Sequence, residues 1–139
     1  MASKLHPTGL YKKQELSAEQ FIQVKNLEYQ KKKPIKMKDI GRKGFHIFER
    51  VKWTFHIQHN LPEKVFVIEK LKKIGFEGEV IHKKDQKPGA VEYRFGYYLI
   101  GKIRNAHGRW IWGQFCPLVP DQDWKKVIRK AQQDGTIPK

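Results

Sequence analysis

Between residues 91 and 116 the chain reads VEYRFGYYLIGKIRNAHGRWIWGQFC, a stretch crowded with ring and β-branched side chains. Such side chains fit a pleated, half-buried surface, so the stretch constrains the fold more than any other. Residues 91–104 read as one strand and residues 109–116 as a second, joined by Asn105-Ala106-His107-Gly108, a hairpin signal. A four-residue loop would set Arg104 opposite Arg109. The period of two then puts Tyr97, Leu99, Gly101, Ile103, Trp110, Trp112, Gln114 and Cys116 on one face. The other face carries Arg94, Tyr98, Ile100, Lys102, Arg104, Arg109, Ile111 and Phe115. In this register the Trp112 indole covers Gly101.

Upstream, Ser17 to Gln20 has the form of a capping box and opens a helix over residues 18–32, with Phe21, Val24 and Leu27 at helical spacing and Pro34 ending it. The following segment, residues 31–43, holds Lys31, Lys32, Lys33, Lys36, Lys38, Arg42 and Lys43 against one acid. It reads either as a solvated linker or as an arm that contacts phosphates. Residues 45–58 form a strand whose packed side carries Val51, Trp53, Phe55 and Ile57. Asn60 caps a second helix with the stripe Val67, Ile68, Leu71 and Ile74, closed by Gly75. Residues 76–82 read as a short strand and residues 83–90 as a polar turn.

A last helix follows Asp121 as its cap, with Trp124, Val127, Ile128 and Ala131 at i, i+3, i+4 and i+7. The order α-β-α-β-β-β-α predicts an α+β protein. About four to five strands form a mixed or antiparallel sheet, and about three helices pack on one face of it. Residues 1–44 read as a basic N-terminal arm with one helix and residues 45–139 as a compact α+β domain, the 139 residues together forming one structural domain.

Lysine and arginine number 29 against 14 acids, a net charge of +15. Residues 1–60 carry 13 cations and 5 acids, leaving the remaining 16 and 9 beyond them, so the excess is spread along the whole chain. Such a field draws polyanions, nucleic acid first; an anionic membrane surface or an acidic protein would satisfy the same charge. No apolar run approaches the ~20 residues of a membrane span. The N-terminus lacks the apolar segment of a secretion signal, and the single cysteine, Cys116, forms no internal disulfide; the cytoplasm is the expected compartment.

The leading expectation is a non-enzymatic nucleic-acid-binding protein. Bases would stack on Tyr98 and Phe115 while Arg94, Lys102, Arg104, Arg109 and the cations of residues 31–43 meet phosphates. The competing reading of the rings is that they are core. The second expectation is a small nuclease. Glu77, Glu79, Asp85 and Glu92, assisted by Lys83 or Lys84, would gather a divalent cation, or His107 would serve as a metal-free general base. The third is a module, including an inhibitor, that docks on an acidic protein. His56 and His59 have HxxH spacing but lack a third ligand and point to opposite faces of a strand, so no metal site is expected. No Walker loop, dinucleotide fingerprint, GxSxG or HExxH occurs, and no cofactor is implied. Cys116 is expected to be a small buried residue.

Overall fold

A meander of five antiparallel strands carries one helix on each of its faces. The computed structural model describes residues 4–5, 11–12, 15–82, 87–102 and 107–139. In chain order the elements are β1 (Lys4–Leu5), β2 (Tyr11–Lys12), α1 (Ala18–Gln30), β3 (Ile35–Lys38), β4 (Phe45–Gln58), β5 (Leu61–Glu77), β6 (Val91–Ile100), β7 (Trp110–Trp112) and α2 (Asp121–Gln133). Among the described residues β1 and β2 pair with each other as a separate two-stranded sheet, and the main sheet runs β3-β4-β5-β6-β7.

The expected third helix, over residues 60–75, is instead the central strand β5. Val65, Phe66, Val67 and Ile68 are all buried because the sheet is covered on both sides at this point. A strand buried on both faces loses its alternation, and its apolar run then resembles a helical stripe. Phe76 and Glu77 end β5 rather than starting a new strand, and the chain turns at Gly78 with φ +69°. Nor do the helices share a face. Phe21 and Tyr29 of α1 pack on Phe55, Val65, Val67 and Tyr98, whereas Val127 and Ala131 of α2 pack on Ile68 and Phe95.

Helix α1 starts as expected: Gln20 N–H donates to Ser17 Oγ, and Ser17 N–H donates to Gln20 Oε1. Its buried side is Ala18, Phe21 and Tyr29, while Val24 and Leu27 are exposed. Helix α2 follows Pro120 as N-cap, with Asp121 and Asp123 in its first turn.

The hairpin exists with shorter strands and a different register. Tyr98 pairs with Trp112, Leu99 with Ile111 and Ile100 with Trp110. Gly101 N–H donates to Arg109 O at 2.9 Å and Gly108 N–H to Gly101 O at 3.0 Å, so the reversal spans more than four residues. Trp110 and Trp112 consequently lie on the face of Tyr98, opposite to expectation. The indole does cover a glycine, but it is Gly96: a Cβ there would collide with Cη2 and Cζ2 of Trp112.

Helix α2 is clasped to the sheet by buried polar groups. The Asp123 carboxylate accepts from His56 Nε2 (2.8 Å), His59 Nδ1 (2.6 Å) and His59 N–H (2.9 Å). At the other end Thr54 Oγ1 donates to Asp134 Oδ2 at 2.7 Å. His59 lies in the turn beyond β4, which swings it round to the same carboxylate as His56. Burial raises the Asp123 carboxyl, but the hydrogen bonds from His59 and His56 outweigh it and hold the group below its ordinary 3.8.

Two outcomes follow from this packing. Gly96→Ala is expected to lose about 1–3 kcal/mol in denaturant titration, because the added methyl would displace the Trp112 indole from its seat between Gly96 and Arg94. Asp123→Asn is expected to lose about 1–3 kcal/mol at neutral pH, since a hydrogen-bonded histidine is left without its acceptor. The lowered carboxyl contributes stability above its unfolded value, and that contribution drains away as pH falls through the folded one. Below about pH 4 the parent should therefore lose stability more steeply than Asp123→Asn, read from unfolding midpoints across the acid range.

Candidate functional site

The side chains expected to form the hairpin surface do not share one. Tyr98 is only 7% exposed and lies under α1, edge-on to Phe21 with ring centroids 5.0 Å apart. Arg94 turns inward as well, its Nη2 2.8 Å from Glu69 Oε2 and its guanidinium 4.6 Å from the Trp112 ring centre. The face expected to be open is thus core, because Glu69 and α1 both lie on that side of the sheet. Lys102 is exposed and ion-paired with Glu63, Arg109 is exposed, and Phe115 is 82% exposed beyond the end of β7. Arg104 lies outside the described residues. Cys116 is exposed, not buried, since the chain has already left the sheet.

The basic run 31–43 is largely built into the fold. Lys31, Lys32 and Lys33 are exposed between α1 and β3, Lys36 and Lys38 belong to β3, and Arg42 and Lys43 are exposed in the loop before β4. Strand β3 pairs Lys36 with Ile47 and Lys38 with Phe45.

Register then carries these lysines onto a larger surface. Phe45 pairs with Glu77, Ile47 with Gly75, Glu49 with Lys72, and Lys52 with Lys70; Lys70 pairs in turn with Tyr93 and Lys72 with Val91. Paired residues share a face. Lys70 and Lys72 alternate with Glu69 and Leu71, so this face is the one opposite α1, continuous with Ile68 beneath α2. The unpaired residues at the two bulges, Val51 of β4 and Ile74 of β5, shift the alternation, so Phe45, Ile47 and Glu49 come to lie on the same face as Lys52.

Helix α2 covers only the end nearer the β4–β5 turn. The remaining half is a sheet surface with Lys36, Lys38, Lys52, Lys70 and Lys72 against the acids Glu49 and Glu77. Tyr93 and Val91 are each 47% exposed on it. Lys36 is ion-paired with Glu77 at 2.9 Å, whereas Lys38, Lys52, Lys70 and Lys72 form no ion pair among the described residues. Lys38 Nζ lies 5.5 Å from the centre of the Phe45 ring. Helix α2, seated on the same side, adds the exposed Lys126 and Arg129.

Sequence reasoning missed Lys52, Lys70, Lys72 and Tyr93. The signal was present: Lys36-Met37-Lys38 and Lys70-Leu71-Lys72 each alternate cation and apolar residue, the mark of a strand with one wet face.

The candidate acids diverge. Glu77 lies on the open face with Lys36. Glu92 pairs with Leu71 on the α1 face, and Glu79 is exposed beyond the Gly78 turn. Asp85, Lys83 and Lys84 lie outside the described residues. No group of three or more His, Cys, Asp or Glu among the described residues is arranged to hold a metal ion. His107 is exposed, bridging to Gly101 in the hairpin loop.

One further titratable chain lies at the edge of the α1 face. Lys73 Nζ is 2.7 Å from His46 Nδ1, and His46 Nε2 is 3.4 Å from Asp39 Oδ1. Asp39 Oδ2 also accepts from Ile81 N–H. Burial raises the Asp39 carboxyl, but the Ile81 N–H and His46 prevail and hold it below its ordinary 3.8. These bonds buckle the loop after β3 to β5 and to the turn beyond it.

No helix among the described residues is long and apolar enough to cross a membrane. Comparison of the chain with protein families, with curated proteins and with solved structures finds no match.

Proposed function

We propose that this protein binds nucleic acid, without catalysing a reaction on it, through the open half of the sheet rather than through the hairpin. The observation that carries this reading is the set of lysines Lys38, Lys52, Lys70 and Lys72, without ion pairs among the described residues and gathered on one face beside Tyr93 and Phe45. A polyanion that lays its phosphates along such a surface releases condensed counterions, which supplies most of the affinity of sequence-independent binding. The net charge of +15 extends the attraction beyond the surface itself. No cofactor is needed for this role, and the divergent positions of Glu77, Glu79 and Glu92 speak against a shared divalent cation.

The test is the salt dependence of binding to a labelled oligonucleotide. Affinity should fall linearly on logarithmic axes as salt rises. Replacing Lys38, Lys52, Lys70 and Lys72 together by Ala should flatten that slope by about 3, since each phosphate no longer neutralised removes about 0.7–0.9. The fold should survive, because exposed substitutions of this kind stay within about 0.5 kcal/mol each. An unchanged slope in a folded quadruple variant would remove the surface from consideration.

A further inference from the structure

We infer that the open half-face takes single-stranded rather than duplex nucleic acid, with a base stacked on Tyr93 and the adjoining phosphates on Lys70 and Lys72. The inference rests on the nucleic-acid reading above and deepens it.

The strands sort the side chains of this face into columns. Strand β6 offers Val91 and Tyr93, both half-exposed and neither charged. The next strand, β5, offers Lys72 and Lys70 directly opposite them: Lys70 pairs with Tyr93 and Lys72 with Val91. A ring-bearing column therefore runs beside a cationic column, about 4.8 Å away, and successive side chains in each recur every ~6.8 Å. That recurrence is comparable with the separation of successive phosphates along an extended strand. A second pair of columns repeats the theme. Phe45 and Ile47 of β4 lie beside Lys38 and Lys36 of β3, paired residue for residue.

Duplex and single strand use such a surface differently. A duplex keeps its bases stacked on one another and shows the protein its phosphates and groove edges, so a ring lying among the lysines gains nothing from it. Duplex readers insert a helix, a ribbon or an apolar wedge. The open face consists of side chains of β3, β4, β5 and β6 and offers no helix or projecting ribbon for a groove. An unpaired base has a free π-face, and a tyrosine set beside two ammonium groups meets base and backbone together. RNA and DNA strands share this chemistry.

The experiment titrates the full chain into three labelled probes of about 12 nucleotides, within the usual span of a single-strand site. The probes are single-stranded RNA, single-stranded DNA of the same sequence, and the DNA duplex, followed by fluorescence anisotropy at fixed low salt. At least one single strand should bind about tenfold or more tightly than the duplex. Tyr93→Ala should weaken that complex roughly 5- to 150-fold, the loss of one stacked base. Its salt slope and its duplex binding should stay unchanged, and Tyr93→Phe, which keeps the ring, should bind like the parent. Tyr93 is half-exposed, and matching unfolding midpoints would show that the fold is intact in both variants. Duplex binding as tight as that of the more tightly bound single strand, or indifference of the single-strand complex to Tyr93→Ala, would overturn the inference while leaving nucleic-acid binding in place. Failure of the parent to bind any of the three probes would overturn both.

Discussion

The carboxylate of Glu69 is fully buried in the middle of the central strand, and much of the molecule is arranged around it. A buried charge costs several kcal/mol unless it is paired and hydrogen-bonded. Three elements supply partners here. Tyr29 Oη of α1 donates to Oε1 at 3.2 Å, Arg94 of β6 donates to Oε2 at 2.8 Å, and Arg50 Nε of β4 stands 3.4 Å from Oε2. Because the one proton of Tyr29 goes to Glu69, the 2.6 Å contact between the two tyrosine hydroxyls must use the proton of Tyr98. Burial, and then the charge of Glu69, push the Tyr29 hydroxyl far above its ordinary value, so it stays a donor throughout the accessible pH range.

The same carboxylate sets the geometry of the hairpin. Arg94, drawn inward, is roofed by the Trp112 ring, and that ring in turn lies on the bare backbone of Gly96. Shifting the β6–β7 register by one residue would carry both tryptophans to the opposite face. Arg94 would then lose its cover and Phe21 its stacked partner Trp110, 4.6 Å away. Packing beneath α1, rather than the loop sequence, therefore selects the pairing of Tyr98 with Trp112.

This dependence explains what could be read from the chain beforehand. Elements whose signal is local were legible: the Ser17–Gln20 capping box of α1, the apolar stripe of α2 at Val127 and Ala131, and the alternation through Trp53, Phe55 and Ile57. Strand β5 was not, because a strand covered on both faces shows no period of its own. With β5 misread as a helix, Glu69 could not be recognised as the partner of Arg94. Arg94 and Tyr98 then looked like outward groups, and Lys70 and Lys72 passed for the wet side of a helix. The clasp of Asp123 with His56 and His59 joins residues more than sixty positions apart, and no local pattern announces it.

The open half-face follows from lengths. Helix α2 has 13 residues and spans about 20 Å, whereas β5 has 17 and runs about 56 Å. A helix of that size cannot roof such a sheet. On the α1 face the uncovered end is closed by the Asp39–His46–Lys73 buckle, and Phe48 and Leu71 are buried there. On the α2 face the uncovered end is left to lysines. Solubility alone would be served better by mixed signs, because opposite charges attract across strands and like charges directly opposite destabilise a sheet. Lys52 and Lys70 are nevertheless direct cross-strand partners, with Tyr93 next in the row. That row sets two ammonium groups side by side, whereas the neighbouring rows balance Lys72 with Glu49 and Lys36 with Glu77. The cationic excess of the open face is therefore concentrated where β4, β5 and β6 run together.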